Sequence, residues 1–310
     1  MFKTIFLLVL STLSWAAFSA TSLTGKDLLI AVVANRYPAD MPTIGCEEFI
    51  PTFSKLKVDG RCIAFENKDP KIAFLGDSHM SHYGPSVMRN FGSLSPISIV
   101  QTGCFPFAED AFLNSVLTDT TCVQKQQDLL AYLIKSPSIK TVVLSARWSR
   151  LMSGPDFDYG NERWLKMAGM SAEDRASFVK NGQYFIGALN KADKKVVLMR
   201  DVPDLDFDIG TCYNIRPVRL GKVQIRQNCS MAQAPFEPRR QLQNAVLEEV
   251  LKPFPQVKVY DPVPVFCQNG VCKASDGTLP YYHNADHVNN YGAELVFKDL
   301  VTKVFPELKP

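Results

Sequence analysis

Two short clusters of this chain hold the residue types that acyl chemistry needs. Gly76-Asp77-Ser78-His79 directly follows the apolar run Ile72-Ala73-Phe74-Leu75 and precedes a helical stretch. A serine at such a strand-to-helix turn is exposed at the sheet edge. Its own N–H points into the site, and the helix N-terminus that follows favours developing negative charge. The same residues also fit an N-cap with no further role. The second cluster, Asn284-Ala285-Asp286-His287, lies just before the last helical stretch. A serine nucleophile needs a general base within hydrogen-bond reach, and imidazole is the usual one. Of four histidines, His79 and His82 lie beside Ser78 in sequence, and His283 and His287 come from the other end of the chain.

Bringing the two clusters together requires a scaffold that carries both at one edge. Five β-type runs stand out: Ile72–Leu75, Ile97–Val100, Thr141–Leu144, Val196–Met199 and Val257–Tyr260. Most are continuously apolar, which suits parallel strands buried on both faces. Helical stretches lie between them, at about Tyr83–Phe91, Val123–Ile134, Ala172–Leu189 and Arg239–Leu251, and Gly292–Val304 follows the last. This alternation predicts an α/β protein, a three-layer α/β/α sandwich on a five-stranded parallel sheet with right-handed crossovers. Ligands of such sheets bind at the carboxyl ends of the strands, where both clusters fall. Residues 21–67 read as a lead-in segment packed on a main domain of residues 68–310. The region 202–236, rich in Pro, Asp and Arg, reads as a long loop near the strand ends.

Length and charge narrow the function classes. With 310 residues, 46% of them hydrophobic, and 34 Lys+Arg against 31 Asp+Glu, the composition is that of a globular protein. Disorder, collagen and coiled coil are excluded as the dominant state, and no clustered basic face points to nucleic acid. Residues 1–20 read as a signal peptide: Lys3, an apolar run from Ile5 to Phe18, then small residues. That run is shorter than the roughly 20 residues that span a bilayer. Export makes disulfides the default use of the eight cysteines. They fall into four sequential couples, Cys46/Cys62, Cys104/Cys122, Cys212/Cys229 and Cys267/Cys272, the last across a tight Asn269-Gly270 turn. A zinc site would call for C-x2-C pairs or nearby His, so no metal is expected. Asp201, Asp204, Asp206 and Asp208 lack the Gly and the terminal Glu of an EF-hand loop and read as a solvated segment. Asn228-Cys229-Ser230 matches a glycosylation sequon, but its Cys is expected to be bridged.

The blocks Phe74-Leu75-Gly76-Asp77-Ser78-His79 and Asp286-His287-Val288-Asn289-Asn290-Tyr291-Gly292-Ala293 resemble the SGNH/GDSL esterase and acyltransferase superfamily, a flavodoxin-like fold. The resemblance is closest to the periplasmic SGNH domain of membrane acyltransferases that O-acetylate bacterial surface polysaccharides. Three further blocks fit: Thr102-Gly103-Cys104-Phe105-Pro106, Leu144-Ser145-Ala146-Arg147-Trp148, and Cys267–Cys272 leading into Thr278-Leu279-Pro280-Tyr281-Tyr282.

The resemblance implies an exported, periplasmic serine esterase or O-acyltransferase that needs no cofactor. Its substrate would be a glycan or acyl ester and, for transfer, its partner a separate membrane acyl donor. It makes Ser78 the nucleophile, His287 the base, Gly76, Asp77 and His79 the supporting motif, and the N–H groups of Ser78 and Gly103 the oxyanion hole. Two positions depart from the family pattern. Where the wider superfamily has an Asn after strand three, this chain has Arg147-Trp148, implied to line the substrate pocket. Where the family has an Asp three residues before the His, this chain has Asn284. An Asn can orient the imidazole but cannot stabilise an imidazolium by charge. Asp286 is the alternative carboxylate, although adjacent side chains usually point apart, so its use would require an unusual loop. Three options stand at this level: a weak Ser-His-Asn enzyme, an enzyme using Asp286 or another carboxylate, and a non-catalytic carbohydrate-binding or assembly protein.

Overall fold

The computed structural model describes residues 43–45, 61–65, 69–101, 104–107, 121–149, 171–212 and 228–308. In chain order the strands are β1 (Thr43–Gly45), β2 (Arg61–Phe65), β3 (Ile72–Gly76), β4 (Ile97–Val100), β5 (Thr141–Ser145), β6 (Lys195–Met199), β7 (Ser230–Ala232), β8 (Lys258–Tyr260), β9 (Cys267–Gln268) and β10 (Val271–Lys273). The helices are α1 (Ser78–Ser81), α2 (Gly84–Phe91), α3 (Thr121–Lys135), α4 (Ala172–Lys191), α5 (Glu237–Leu251), α6 (Val263–Phe266) and α7 (Asn290–Val304).

The main sheet runs β1-β2-β4-β3-β5-β6-β8. Its five strands β4-β3-β5-β6-β8 are mutually parallel, and they are the five apolar runs of the sequence. The lead-in does more than pack on this sheet: β2 pairs antiparallel with β4, and β1 with β2, so two strands extend it at one edge. Among the parallel strands the chain starts at β3, steps out to β4, and crosses back to β5 on the other side. That reversal opens a crevice at the carboxyl ends of β3 and β5, where ligands of doubly wound sheets bind.

The continuous apolar runs are explained by two cores, one on each face. Ile72, Phe74, Val143, Val197 and Met199 point into the core completed by α2 and α7, through Val87, Phe91, Phe297 and Leu300. Ala73, Leu75, Val142, Leu144, Val196 and Leu198 point into the other, against Leu129, Leu133, Phe185, Ile186, Leu189 and Val250 of α3, α4 and α5. A strand buried on both faces has no polar alternate positions to spare. Phe74, wholly buried, stacks edge-on with Phe91 at 5.0 Å between ring centres. Truncating such a side chain costs about 3–5 kcal/mol.

A small antiparallel sheet, β7-β10-β9, stands beside the main one. Its β9–β10 hairpin turns through Asn269 and Gly270 with φ of 53° and 77°, a two-residue turn with both central residues left-handed. Disulfides join Cys267 to Cys272 across this hairpin and Cys104 to Cys122 at the start of α3. Cys62 is disulfide-bonded, and Cys46 lies outside the described residues. The sequential rule fails for the remaining couple: no disulfide joins Cys212 to Cys229. Cys212 ends the 3-10 turn Ile209–Thr211, packed against the core, while Cys229 leads into β7. A bridge requires Cα atoms about 4.4–6.8 Å apart, which closeness in sequence does not guarantee.

The segment after β6 also departs from the expected solvated loop. Val202, Leu205, Phe207 and Ile209 are buried in the α7-side core, and Asp201 and Asp204 are each only 4% exposed. Buried carboxylates require partners, and Asp204 finds Arg239 of α5 at 2.9 Å. Residues 1–20 lie outside the described part; no described helix is long and apolar enough to cross a membrane.

Candidate active site

The tip of β3 is shaped by Gly76, whose added Cβ would run into the carbonyl oxygen of Ser145 on β5. Asp77 follows as the N-cap of the single-turn helix α1. Its Oδ1 accepts the His79 N–H at 2.8 Å, and the carboxylate also accepts the Arg147 N–H at 3.0 and 3.2 Å. One carboxylate thus ties the tips of β3 and β5 together and sets Ser78 between them, partly exposed.

His287 arrives on the loop before α7. Asn289 caps that helix, its Oδ1 accepting the N–H groups of Tyr291 and Gly292 at 2.9 and 3.0 Å. Its Nδ2 donates to the Pro280 carbonyl at 2.7 Å, and its N–H to the Tyr281 carbonyl at 2.9 Å. Gly292 lets the Tyr281 carbonyl come in where any Cβ would collide with it. The result sets His287 Nε2 2.9 Å from Ser78 Oγ, across 209 positions of sequence.

The unusual loop that Asp286 would require is present, and Asn284 builds it. Asn284 Oδ1 accepts the N–H groups of Asp286 at 3.0 Å and of His287 at 2.7 Å. This Asx turn folds Asp286 back, and its Oδ1 lies 2.9 Å from His287 Nδ1. Asn284 Nδ2 stands 3.2 Å from the same Nδ1. With the amide oxygen already holding two backbone donors, only its NH2 faces the ring. The expectation that Asp286 and His287 diverge is therefore overturned, because a side-chain acceptor two and three residues upstream re-aims the backbone.

The far oxygen of Asp286 is held as well. Oδ2 lies 3.0 Å from Arg147 Nε and 3.3 Å from His79 Nε2, and His79 Nδ1 lies 2.7 Å from Asp201 Oδ1. Burial opposes the charged form of Asp286. Hydrogen bonds from His287 and His79, with the charges of His79 and Arg147, outweigh it and hold the carboxyl well below the usual carboxylate range. For His79, burial alone would lower the pKa, but Asp201 and Asp286 push it up to about 10. His82, also buried, has neither ring nitrogen hydrogen-bonded, and burial keeps it neutral by lowering its pKa well below the ordinary value. His79, Asp286 and His287 each bring one donor atom within 4.8 Å of the others. Hydrogen bonds link these three side chains to one another and His287 to Ser78.

Trp148 packs as a core residue among the described residues. It is fully buried, its ring stacked on Phe105 and Phe107 at 6.0 and 5.5 Å, its indole N–H donating to the Met199 carbonyl at 2.8 Å. A tight turn after β5, Trp148 N–H to Ala146 carbonyl at 2.8 Å, sends the indole into the core and Arg147 toward Asp286. Gly103 lies outside the described residues. Asp201 is the residue that sequence reasoning missed. The available signal was its position two residues beyond β6, at the carboxyl end of a parallel strand.

No curated protein sequence matches this chain. Among solved structures it is similar to the periplasmic domain of a lipopolysaccharide acetyltransferase from Salmonella ser. Paratyphi A. The TM-score is 0.50 at 9% identity, over 77% of this chain and 85% of that one. It is also similar to an acetylxylan esterase from Geobacillus stearothermophilus, with a TM-score of 0.44 at 10% identity, over 76% and 94% of the two chains. At such identities these likenesses concern the fold. The sequence itself matches, over residues 46–301, the family described as the SGNH domain fused to AT3 domains. That match spans most of the chain, so this protein belongs to the SGNH family.

Proposed function

We propose that this protein is an ester enzyme in which Ser78 carries an acyl group between a donor ester and an acceptor hydroxyl. The observation that carries the reading is the line Ser78 Oγ, His287 Nε2, His287 Nδ1, Asp286 Oδ1, with both gaps at 2.9 Å. In that arrangement Nδ1–H donates to Asp286, which leaves the Nε2 lone pair to accept the serine proton. Ser78 Oγ attacks the acyl carbonyl, the imidazolium forms against ionised Asp286, and Nε2–H then protonates the departing alkoxide. A hydroxyl entering the vacated position gives its proton to Nε2 and bonds to the acyl carbon; the bond from that carbon to Ser78 Oγ breaks, and Nε2–H returns the proton to Oγ. The backbone N–H groups of Ser78 and Gly103 are assigned to the oxyanion, a service worth about 3–4 kcal/mol per donor in enzymes of this kind.

Family membership supports an enzyme acting on acyl esters. The similarity to a lipopolysaccharide acetyltransferase domain supports an acetyl group, a cell-envelope glycan acceptor and a periplasmic site of action after export. The AT3 fusion in the family's description supports a membrane acyl donor as partner. Transfer and hydrolysis share the covalent intermediate and differ in which hydroxyl reaches it. The reading of a non-catalytic glycan binder rested on Asn284 and on Arg147 in place of the strand-three Asn. With Asp286 against Nδ1, and Arg147 engaged with Asp286, the geometry favours catalysis.

The test uses the mature protein and its Ser78→Ala variant with an aryl acetate and a serine-reactive fluorophosphonate. Labelling and acetate release confined to the wild type are the expected outcome; equal background in both proteins would overturn the reading.

A further inference from the structure

Asp286 is an unusual partner for His287, because a one-residue tether leaves its carboxylate free to swing away once the turn at Asn284 relaxes. Its second oxygen is therefore the point where the geometry is decided. That oxygen faces Arg147 from the tip of β5 and His79 from α1, and His79 in turn faces Asp201 from beyond β6. We propose that the Asp201–His79 pair is a positioning device, an imidazolium donating one N–H to each of two carboxylates, that keeps Asp286 turned onto His287. Its role in turnover rests on the ester-enzyme reading above.

The argument is one of donors and charge. A neutral imidazole has one N–H and one lone pair. Both ring nitrogens of His79 face carboxylate oxygens, at 2.7 and 3.3 Å. With a neutral ring and ionised acids, one of these contacts sets a lone pair against an anion. Water cannot relieve it, since His79 and Asp286 are 1% exposed and Asp201 is 4% exposed. The cation satisfies both contacts. It also adds a positive charge where Asp77, Asp201 and Asp286 otherwise face Arg147 alone. Further titratable neighbours are His82 and His287, with ring centres 5.2 and 4.5 Å from His79, His283, which feels the charge of His79, and Asp204, which bears on Asp201. The ordinary acid-and-loop economy of such a site, one carboxylate three residues upstream, is thus replaced by three parts: a turn-forming Asn284, an adjacent Asp286, and the His79–Asp201 clamp behind it.

The clamp works only while His79 is protonated, and this sets the test. With histidines labelled in 15N, the protonation state of His79 is read directly in the Ser78→Ala protein, assigned with His79→Gln. At about pH 8 both ring nitrogens are expected to carry protons, against an ordinary histidine pKa of about 6.5. In Asp201→Asn, which removes the stronger anionic partner, the second proton is expected to leave at least two pH units earlier. In parallel, kcat/KM for an aryl acetate is measured from about pH 6 to 10.5, with the Ser78→Ala rate subtracted. The wild type is expected to lose activity only near pH 10. In Asp201→Asn that alkaline limb moves down, so the variant-to-wild-type ratio falls at least tenfold between about pH 6.5 and 9, chiefly in kcat. A ratio constant across pH, the mark of a merely structural defect, would overturn the inference, as would a neutral His79 at pH 8 in the wild-type background. If wild type and Ser78→Ala turn over alike, the ester-enzyme reading fails instead, and the 15N measurement still decides the state of the pair.

Discussion

At the residue scale, the contrast between Asn284 and Asp286 carries the sharpest consequence. Asn284 occupies the family's acid position but spends its oxygen on two backbone N–H groups. Asp286→Asn removes the charge from His287 and, by analogy with other triads, lowers kcat by about three to four orders of magnitude. Asn284→Asp keeps an acceptor for the turn and adds a second carboxylate beside Asp286, so it brings no comparable gain. Steady-state kinetics with an aryl acetate separate the two. A large gain in Asn284→Asp with little loss in Asp286→Asn would assign the acid role to position 284.

At the element scale, the site depends on how closely the tips of β3 and β5 approach. Gly76 is the position where that approach leaves no room, because a Cβ there would meet backbone rather than a flexible side chain. Gly76→Ala is expected to force the strands apart and cost about 1–3 kcal/mol, the range for overpacking a filled interior. It should also break the Asp77–Arg147 tie. Urea denaturation reads the first effect and fluorophosphonate labelling the second. Full stability with full labelling would show that the strand tips can adjust. His79 also links this region to pH. Its pKa is raised on folding, so the stability it contributes is complete below about pH 6.5 and is lost as pH climbs toward about 10. The melting temperature of the wild type should therefore fall more steeply over that window than that of His79→Gln.

At the scale of the whole molecule, the lead-in strands close one edge of the sheet. β2 covers β4 along Arg61–Ala64, paired with Ile97–Val100. An uncovered apolar strand edge is a template for intermolecular pairing. A protein lacking residues 21–67 is expected to elute as soluble aggregate on size-exclusion chromatography, whereas the full mature chain should not. A well-behaved monomer from the truncated chain would show that β4 tolerates exposure.

Much of this was legible in the amino-acid order. The five apolar runs, their alternation with helical stretches and the placing of Ser78 and His287 beyond strand ends are local signals: strand burial on both faces leaves a run, and a strand–helix turn leaves polar residues at its tip. The Asn269-Gly270 hairpin was equally local. What only the tertiary structure decided involves partners far apart in the chain or a backbone bent by a side chain. Asp201 reads as one of four loop acids until β6 sets it behind His79, and only the fold shows the Trp148 ring stacked on Phe105 and Phe107. Cys212 and Cys229 lie near each other in sequence, yet they belong to separate elements and no disulfide joins them. Asp286 and His287 should point apart by chain geometry alone, and converge because Asn284 holds two N–H groups and His79 and Arg147 hold the far oxygen. Sequence determined which chemical groups reach the sheet edge; the three-dimensional balance of buried charge and hydrogen bonds decided how they face one another there.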